Sequence, residues 1–227
     1  LINATIERLN KAGGGTLFFP AGKYLTGPIV MKSNITLDVD AGATIMFSDN
    51  FDHYLPFVEM RYEGVVMKSF SPLIYAVDCE NITIKGEGTL DGQGKAWWME
   101  IYRVEVDIKD NGKRDLNKYQ PLWDKVNDTK ALYTETNEDY VRTLERRFFR
   151  PPFIQPIRCK NVRIEGVKIR NSPFWTVNPE FCDNVTVKGI TIHNDPSPNT
   201  DGINPSSCRN VHISDCHISV GDDCITI

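Results

Sequence analysis

Charges of the two signs nearly cancel in this chain: 26 Lys and Arg stand against 30 Asp and Glu, for a net charge of -4. So slight an excess argues neither for nucleic acid nor for a membrane surface as partner. Tracts rich in Ser, Pro or Gly, of the kind that link domains, are also missing. The 227 residues, 41% of them hydrophobic, therefore read as one domain, long enough to bury a sizeable core. Missing too, over most of the chain, is the apolar spacing of amphipathic helices. A short alternation of period two takes its place.

That alternation recurs. Cys79-Glu80-Asn81-Ile82-Thr83-Ile84, Cys159-Lys160-Asn161-Val162-Arg163-Ile164, Cys182-Asp183-Asn184-Val185-Thr186-Val187 and Cys208-Arg209-Asn210-Val211-His212-Ile213 each set a Cys-x-Asn step before alternating apolar residues. Met31-Lys32-Ser33-Asn34-Ile35-Thr36-Leu37 is a degenerate earlier copy. The last three copies follow one another at 23 and 26 residues, a spacing that marks a solenoid. Val162 and Ile164 lead to Val167 and Ile169, and Val185 and Val187 to Ile190 and Ile192, with Gly166 and Gly189 at the turns between short strands. Short strands stacked at roughly 4.8 Å per rung bury a continuous core that no single coil buries alone. The expected fold is all-β, a right-handed parallel β-helix. Asn34, Asn81, Asn161, Asn184 and Asn210 would stack as a ladder at one corner, with their side chains buried.

Four of the six cysteines share one repeat position, which favours small buried hydrophobes in the core over a disulfide framework. The N-x-Thr sequons at Asn34, Asn81 and Asn184 coincide with the ladder and are read as structural, not as glycosylation sites.

Residues 1–12 read as a short capping helix with Leu1, Ile2, Ile6 and Leu9 on one face, plugging one end of the solenoid, with neither an N-cap nor a signal peptide before it. Cys224-Ile225-Thr226-Ile227 reads as mid-strand, so the single domain over 1–227 is expected to be cut at both ends. Residues 95–150 break the repeat with many charges and with Trp97, Trp98, Tyr102, Tyr119, Trp123, Tyr133 and Tyr140. They are expected to form an ordered, partly helical insertion between coils, with a helix over Glu138 to Phe149. Insertions on repeat proteins decorate the binding face; a packing elaboration without substrate contact is the alternative. From Arg142 to Arg170 there are nine Lys or Arg against two Glu, readable as a solvated face or as a groove wall for an anionic polymer.

Acids concentrate near the end of the chain. Asp201 lies about one coil before Asp222 and Asp223. Interior parity is even at Ile218 and Val220 but odd at Ile225 and Ile227, so the register must slip at Gly221-Asp222-Asp223. A bend there lets both acids project into one groove beside Asp201. Clustered carboxylates split their proton affinities, one protonated and another ionised near neutral pH, as glycoside hydrolysis by paired carboxylates requires.

Asn199-Thr200-Asp201-Gly202-Ile203, Gly221-Asp222-Asp223-Cys224 and Ser172-Pro173-Phe174-Trp175 together resemble glycoside hydrolase family 28, the polygalacturonases. Ala12-Gly13-Gly14-Gly15-Thr16, Pro20-Ala21-Gly22, Arg61-Tyr62-Glu63-Gly64, and Leu90-Asp91-Gly92-Gln93-Gly94 with Trp97-Trp98 extend the match. The resemblance implies a right-handed parallel β-helix enzyme that hydrolyses pectin with inversion. Asp222 would be the general acid, and Asp201 and Asp223 would activate the attacking water. Asn199, Trp175 and Arg61 would contact substrate. It also implies a monomer acting on pectic polysaccharide or oligogalacturonide, secreted or periplasmic, without cofactor or metal, nucleic acid or membrane. Gly-His-Gly and Arg-Ile-Lys motifs normally follow the Asp pair and do not occur here, and His193 and His212 do not match that histidine. The chain thus resembles the first half to two thirds of a family enzyme. Action near chain ends would follow if the insertion walls the cleft.

Two alternatives belong to other classes. A β-helix pectate lyase would use Asp201, Asp222 and Asp223 to bind Ca²⁺. A non-catalytic polysaccharide-binding solenoid would tolerate loss of all three acids, and the parity break at the acids argues against it.

Overall fold

The fold was analysed in a computed structural model that describes residues 1–62, 64–111, 118–127, 150–194 and 197–227. The chain coils as a right-handed parallel β-helix built from three sheets. The first sheet stacks Gly15–Phe19, Ile35–Val39, Glu80–Gly86, Lys160–Glu165, Asp183–Lys188 and Arg209–Ser214. The second stacks Gly22–Thr26, Ala43–Phe47, Thr89–Asp91, Lys168–Arg170, Thr191–His193 and His217–Ser219. Ile29–Val30, Ile74–Val77 and Ile154–Ile157 form the third. Single parallel bridges extend it from Ile154 to Val177, Ile203 and Ile225.

The period-two pattern becomes columns in register. Leu37, Ile84, Ile164, Val187 and Ile213 align in the first sheet, and Ile45, Leu90, Ile169, Ile192 and Ile218 in the second. Of these, Leu37, Ile45, Leu90 and Val187 are wholly buried. Each buried aliphatic side chain contributes about 1.5–3 kcal/mol, so the apolar columns are the main adhesive between turns. The cysteines behave as small core residues: Cys79, Cys159 and Cys182 are buried, and all six are free. The backbone N–H of Cys159 donates to Cys182 Sγ, and that of Cys182 to Cys208 Sγ.

Helix α1 (Ile2–Lys11) seats Ile6, fully buried, against the first turn, with Ile2 and Leu9 beside it. Leu1, expected on the same face, is instead fully exposed, because it is the cap position outside the packed turns. Asn3 ties the helix down: its Nδ2 donates to Pro28 O at 2.9 Å, and its Oδ1 accepts from Val30 N at 2.9 Å.

The asparagine ladder exists, but on the outside. All five residues adopt left-handed backbone, with φ of 62° at Asn34, 56° at Asn81, 56° at Asn161, 62° at Asn184 and 55° at Asn210. Asn is one of the few side chains that accept this conformation cheaply. Asn81 Nδ2 donates to Asn34 Oδ1, Asn161 Nδ2 to Asn81 Oδ1, and Asn184 Nδ2 to Asn161 Oδ1, at 2.9, 2.8 and 2.7 Å. Asn210 turns aside to Asp183. Asn34, Asn81, Asn184 and Asn210 are exposed, not buried, because a left-handed residue at a corner throws its side chain off the coil. At two of the three sequons, Asn81 and Asn184, the amide nitrogen donates within the ladder, while Asn34 enters it through its oxygen.

Excursions leave the solenoid at one corner, between the second and third sheets. A hairpin, Val58–Tyr62 paired with Val65–Ser69, lies between Ala43–Phe47 and Ile74–Val77. The insertion over 95–150 lies between Thr89–Asp91 of the second sheet and Ile154–Ile157 of the third. Its described parts are helical, α2 (Lys95–Asn111) and α3 (Tyr119–Val126). The helix expected over Glu138 to Phe149, with Tyr133 and Tyr140, lies outside the described residues. Trp97 is fully buried among Phe51, Tyr54 and Phe70.

Replacing Asn184 by Leu is expected to destabilise the protein by about 1–2 kcal/mol, combining the left-handed backbone penalty with one lost hydrogen bond. Asn184→Gly accepts the φ and should lose only the ladder contribution, about half as much. Thermal melting of the parent and the two variants checks it; a melting temperature of Asn184→Leu equal to that of the parent would rule the ladder out as a stabilising device.

Candidate functional site

The corner that emits the excursions also carries every site residue expected from the sequence. The bridges Ile154–Val177–Ile203–Ile225 set its register. Two positions earlier stand Pro152, Trp175, Asp201 and Asp223, one per turn, in a single column. The backbone agrees: Phe153 N donates to Trp175 O, Thr176 N to Asp201 O and Gly202 N to Asp223 O, each at 2.9 Å. Asp222 belongs to the next column, level with Thr200.

Thr200 is fully buried and its hydroxyl bonds inward, to Ser197 and to Asn194 O. Asp222 does not follow it. The chain bends at Gly221 and Asp222. A Cβ at Gly221 would overlap the Ser197 carbonyl, so the bend sits too close to the preceding turn for any side chain there. Outside, Asp222 Oδ2 accepts from Asn199 Nδ2 at 3.2 Å and Oδ1 from Asp223 N at 3.1 Å.

Asp201 is buried. Its Oδ2 accepts from Asn204 Nδ2 at 3.0 Å, while Oδ1 is buried without a hydrogen-bond partner. Burial pushes its carboxyl above the usual range; the Asn204 bond opposes this, and the charges of Asp222 and Asp223 add to it. Asp201 thus feels the two acids of the next turn. A buried acceptor with raised proton affinity beside exposed carboxylates can hold and pass a proton.

Trp175 lies half-buried at the rim of a hollow that also touches Gly64, Asn178, Glu180, Asp201 and Asn204. Residues of the last turn, Val211, Ile213 and Ile225 among them, line the rest of it. The Trp175 ring stacks on Tyr62 (centroids 5.8 Å, planes 9° apart) and on Phe174 (4.5 Å, 23°). Trp123 of α3 packs into the same cluster with Met60 and Met67. The Trp98 indole N–H of α2 donates to Ser172 O at 2.9 Å. The insertion therefore reaches the segment that carries Trp175.

Arg61 sits on the hairpin and is engaged: its Nη1 donates to Glu180 Oε2 at 2.9 Å and to the hydroxyls of Ser206 and Ser207 at 2.6 and 3.1 Å. Burial raises the Glu180 carboxyl above its ordinary range, with Arg61 opposing. The described cations of the basic stretch do not form one wall. Arg158 pairs with Glu59 and Asp78, Arg163 with Glu165, and Arg170 with Asp91. They spread over different faces; Arg142, Arg146 and Arg147 lie outside the described residues. Arg150 is buried, its Nη2 donating to Asn199 Oδ1 at 2.9 Å. The sequence offered it only as one cation of a run. Its alignment with Asn199 depends on register through the insertion, which no local pattern gives.

Among the described residues, no three His, Cys, Asp or Glu side chains converge to hold a metal ion, and no helix is long and apolar enough to cross a membrane.

Comparison with known proteins agrees in family and fold. A model of Glycosyl hydrolases family 28 matches residues 143–227. A probable polygalacturonase of Vitis vinifera is 29% identical over 229 residues, covering 98% of this chain and 38% of its own length. An endo-polygalacturonase of Pectobacterium carotovorum subsp. carotovorum is 29% identical over 233 residues, covering 99% of this chain and 50% of its own. The crystal structure of a hyperthermoactive exopolygalacturonase from Thermotoga maritima superposes with a TM-score of 0.77 at 40% identity, over 99% of this chain and 49% of that one. The chain spans half or less of the length of these relatives.

Arg61→Met should leave Glu180 buried without its counter-charge and cost about 3 kcal/mol at neutral pH. An acid whose folded pKa is raised contributes stability that is lost as pH rises through that pKa. The variant should therefore recover part of its deficit in mildly acid solution, where Glu180 is protonated. Denaturant unfolding at the two pH values checks this; a deficit that grows on acidification would contradict it.

Proposed function

We propose that the chain belongs to glycosyl hydrolases family 28 and that its protein hydrolyses O-glycosidic bonds of galacturonic-acid-containing pectic polysaccharide with inversion. Asp222 is the general acid that protonates the leaving glycosidic oxygen. Asp201 and Asp223 activate the water that attacks from the opposite side of the sugar. The observation that carries this reading is the bend at Gly221, which turns Asp222 out of the Thr200 column and into the groove beside Asp201. A structural turn has no need of three mutually repelling acids. The raised proton affinity of Asp201 suits a base, since a carboxylate with higher affinity is the better proton acceptor once ionised.

Around the acids, the Trp175 face offers a sugar ring a platform, and Asn199 holds Asp222. Arg61 serves the groove by fixing its wall to Glu180. The substrate is a pectic polymer or oligogalacturonide met outside the cell, by a secreted or periplasmic protein. The contacts of Trp98 and Trp123 with the Trp175 segment favour an insertion that narrows one end of the groove, and hence attack near chain ends. A purely binding solenoid leaves the acid bend without a purpose.

Asp222→Asn, made in the protein as it occurs naturally, should slow hydrolysis of polygalacturonate by ~10² to 10⁴-fold with an unchanged melting temperature. Near-normal turnover would remove Asp222 from the acid role, and unsaturated, ultraviolet-absorbing products from the unmodified protein would point to a lyase. Product profiles separate the modes of attack. Early mono- or disaccharide with slow loss of viscosity is the expected outcome, and a rapid viscosity drop with intermediate oligosaccharides would mean internal cleavage.

A further inference from the structure

Arg150 is 4% exposed and hydrogen-bonded within the corner that holds the acids. Its Nη1 donates to Pro173 O at 3.0 Å and to Pro198 O at 2.6 Å, and its Nη2 donates to Asn199 Oδ1 at 2.9 Å. The guanidinium lies over the Phe174 ring, 4.9 Å from its centroid. It therefore grips the two turns that follow its own: Pro173 and Phe174 precede Trp175 on the first, and Pro198 and Asn199 precede Asp201 on the second.

An amide side chain has two orientations of similar shape, and only its partners choose between them. A guanidinium only donates. Facing Arg150, Asn199 must present its oxygen, and its NH₂ must then face the other way. That way lies Asp222, whose Oδ2 accepts from Asn199 Nδ2 at 3.2 Å. Without Arg150 nothing described would prevent the reverse orientation, which would set Asn199 Oδ1 against a carboxylate oxygen and push Asp222 off. The other charged groups near Asp222 are the like-charged Asp201 and Asp223, which repel it. The backbone N–H of Asp223 holds Oδ1 at 3.1 Å; among the described side chains, the Asn199 amide is the donor that draws Oδ2 to one place.

We infer that Arg150 is a positioning residue: it fixes the orientation of the Asn199 amide, and through it the position of the Asp222 carboxyl on the groove face. The inference rests on the reading of Asp222 as proton donor. Arg150 does not touch substrate in this account: its effect on Asp222 passes through Asn199, while its bonds to Pro173 O and Pro198 O hold the turns themselves.

Displacement of a reacting group by about 1 Å can cost 10²-fold in rate. Arg150→Met, which keeps a side chain against Phe174, should lower kcat on polygalacturonate by about that factor with KM nearly unchanged. A substrate whose leaving group needs no protonation, 4-nitrophenyl galacturonide, should be far less affected. Arg150→Lys, with a donor and a charge but no fork, should recover part of the loss. Combined with Asn199→Ala, Arg150→Met should add little to the loss from Asn199→Ala alone. Should Arg150→Met not fold, Asn199→Asp answers the same question, since it keeps an acceptor for Arg150 and removes the donor to Asp222. It should show the same leaving-group-selective loss. Multiplying losses in the double variant, equal slowing of both substrates, or full kcat in Asn199→Asp would overturn the inference. If Asp222→Asn is itself active, the reading of Asp222 fails instead, so the two failures are distinguishable.

Discussion

In-register parallel hydrogen bonding between successive turns is the constraint on which the groove depends. It converts distance along the chain into height along the axis, so residues a coil apart in sequence become neighbours at roughly 4.8 Å. Asp201 and Asp223 share a column for this reason alone. The apolar columns inside supply most of the energy that keeps the turns in register, and the asparagines outside supply the left-handed backbone that turns the corner.

The three corners are not equivalent. Left-handed Asn residues close one and glycines such as Gly166 and Gly189 close another, each compactly. The third, between the second and third sheets, has no repeated turn and so tolerates length. The hairpin, the insertion with α2 and α3, the Trp175 segment and the acid bend all leave from it. Stacking then gathers these excursions on one side of the solenoid. Irregular backbone and chemistry coincide there because the remaining corners have no room for either.

Much of this was legible in the sequence, and the reasons differ by element. The Cys-x-Asn steps and alternating aliphatics gave the coil, since burial on one face of a short strand leaves a period-two trace. The slip between Val220 and Ile225 gave the bend at the acids. The ladder asparagines were rightly stacked but wrongly buried: a repeat position reveals that residues align and is silent about which way a left-handed residue points. Arg150 and Glu180 were missed as members of the site because their partners lie on other turns, across spacings made irregular by the insertion and the corner loops; Asn204, three residues after its partner Asp201, was missed because no local pattern tells which way its side chain turns. Arg61 was legible as part of a motif, but its ion pair with Glu180 was not.

The outer ladder also has a direction. In each of its three bonds the later turn donates and the earlier accepts, from Asn184 to Asn161, Asn161 to Asn81 and Asn81 to Asn34. Aligned amides of this kind polarise one another, each donor strengthened by the bond its own oxygen receives. Asn34 and Asn161 carry the same side chain in nearly the same backbone conformation, yet they are not worth the same. Asn161 holds two links and Asn34 only one, so position along a one-way chain, not residue type, grades what each asparagine does for the wall of the coil.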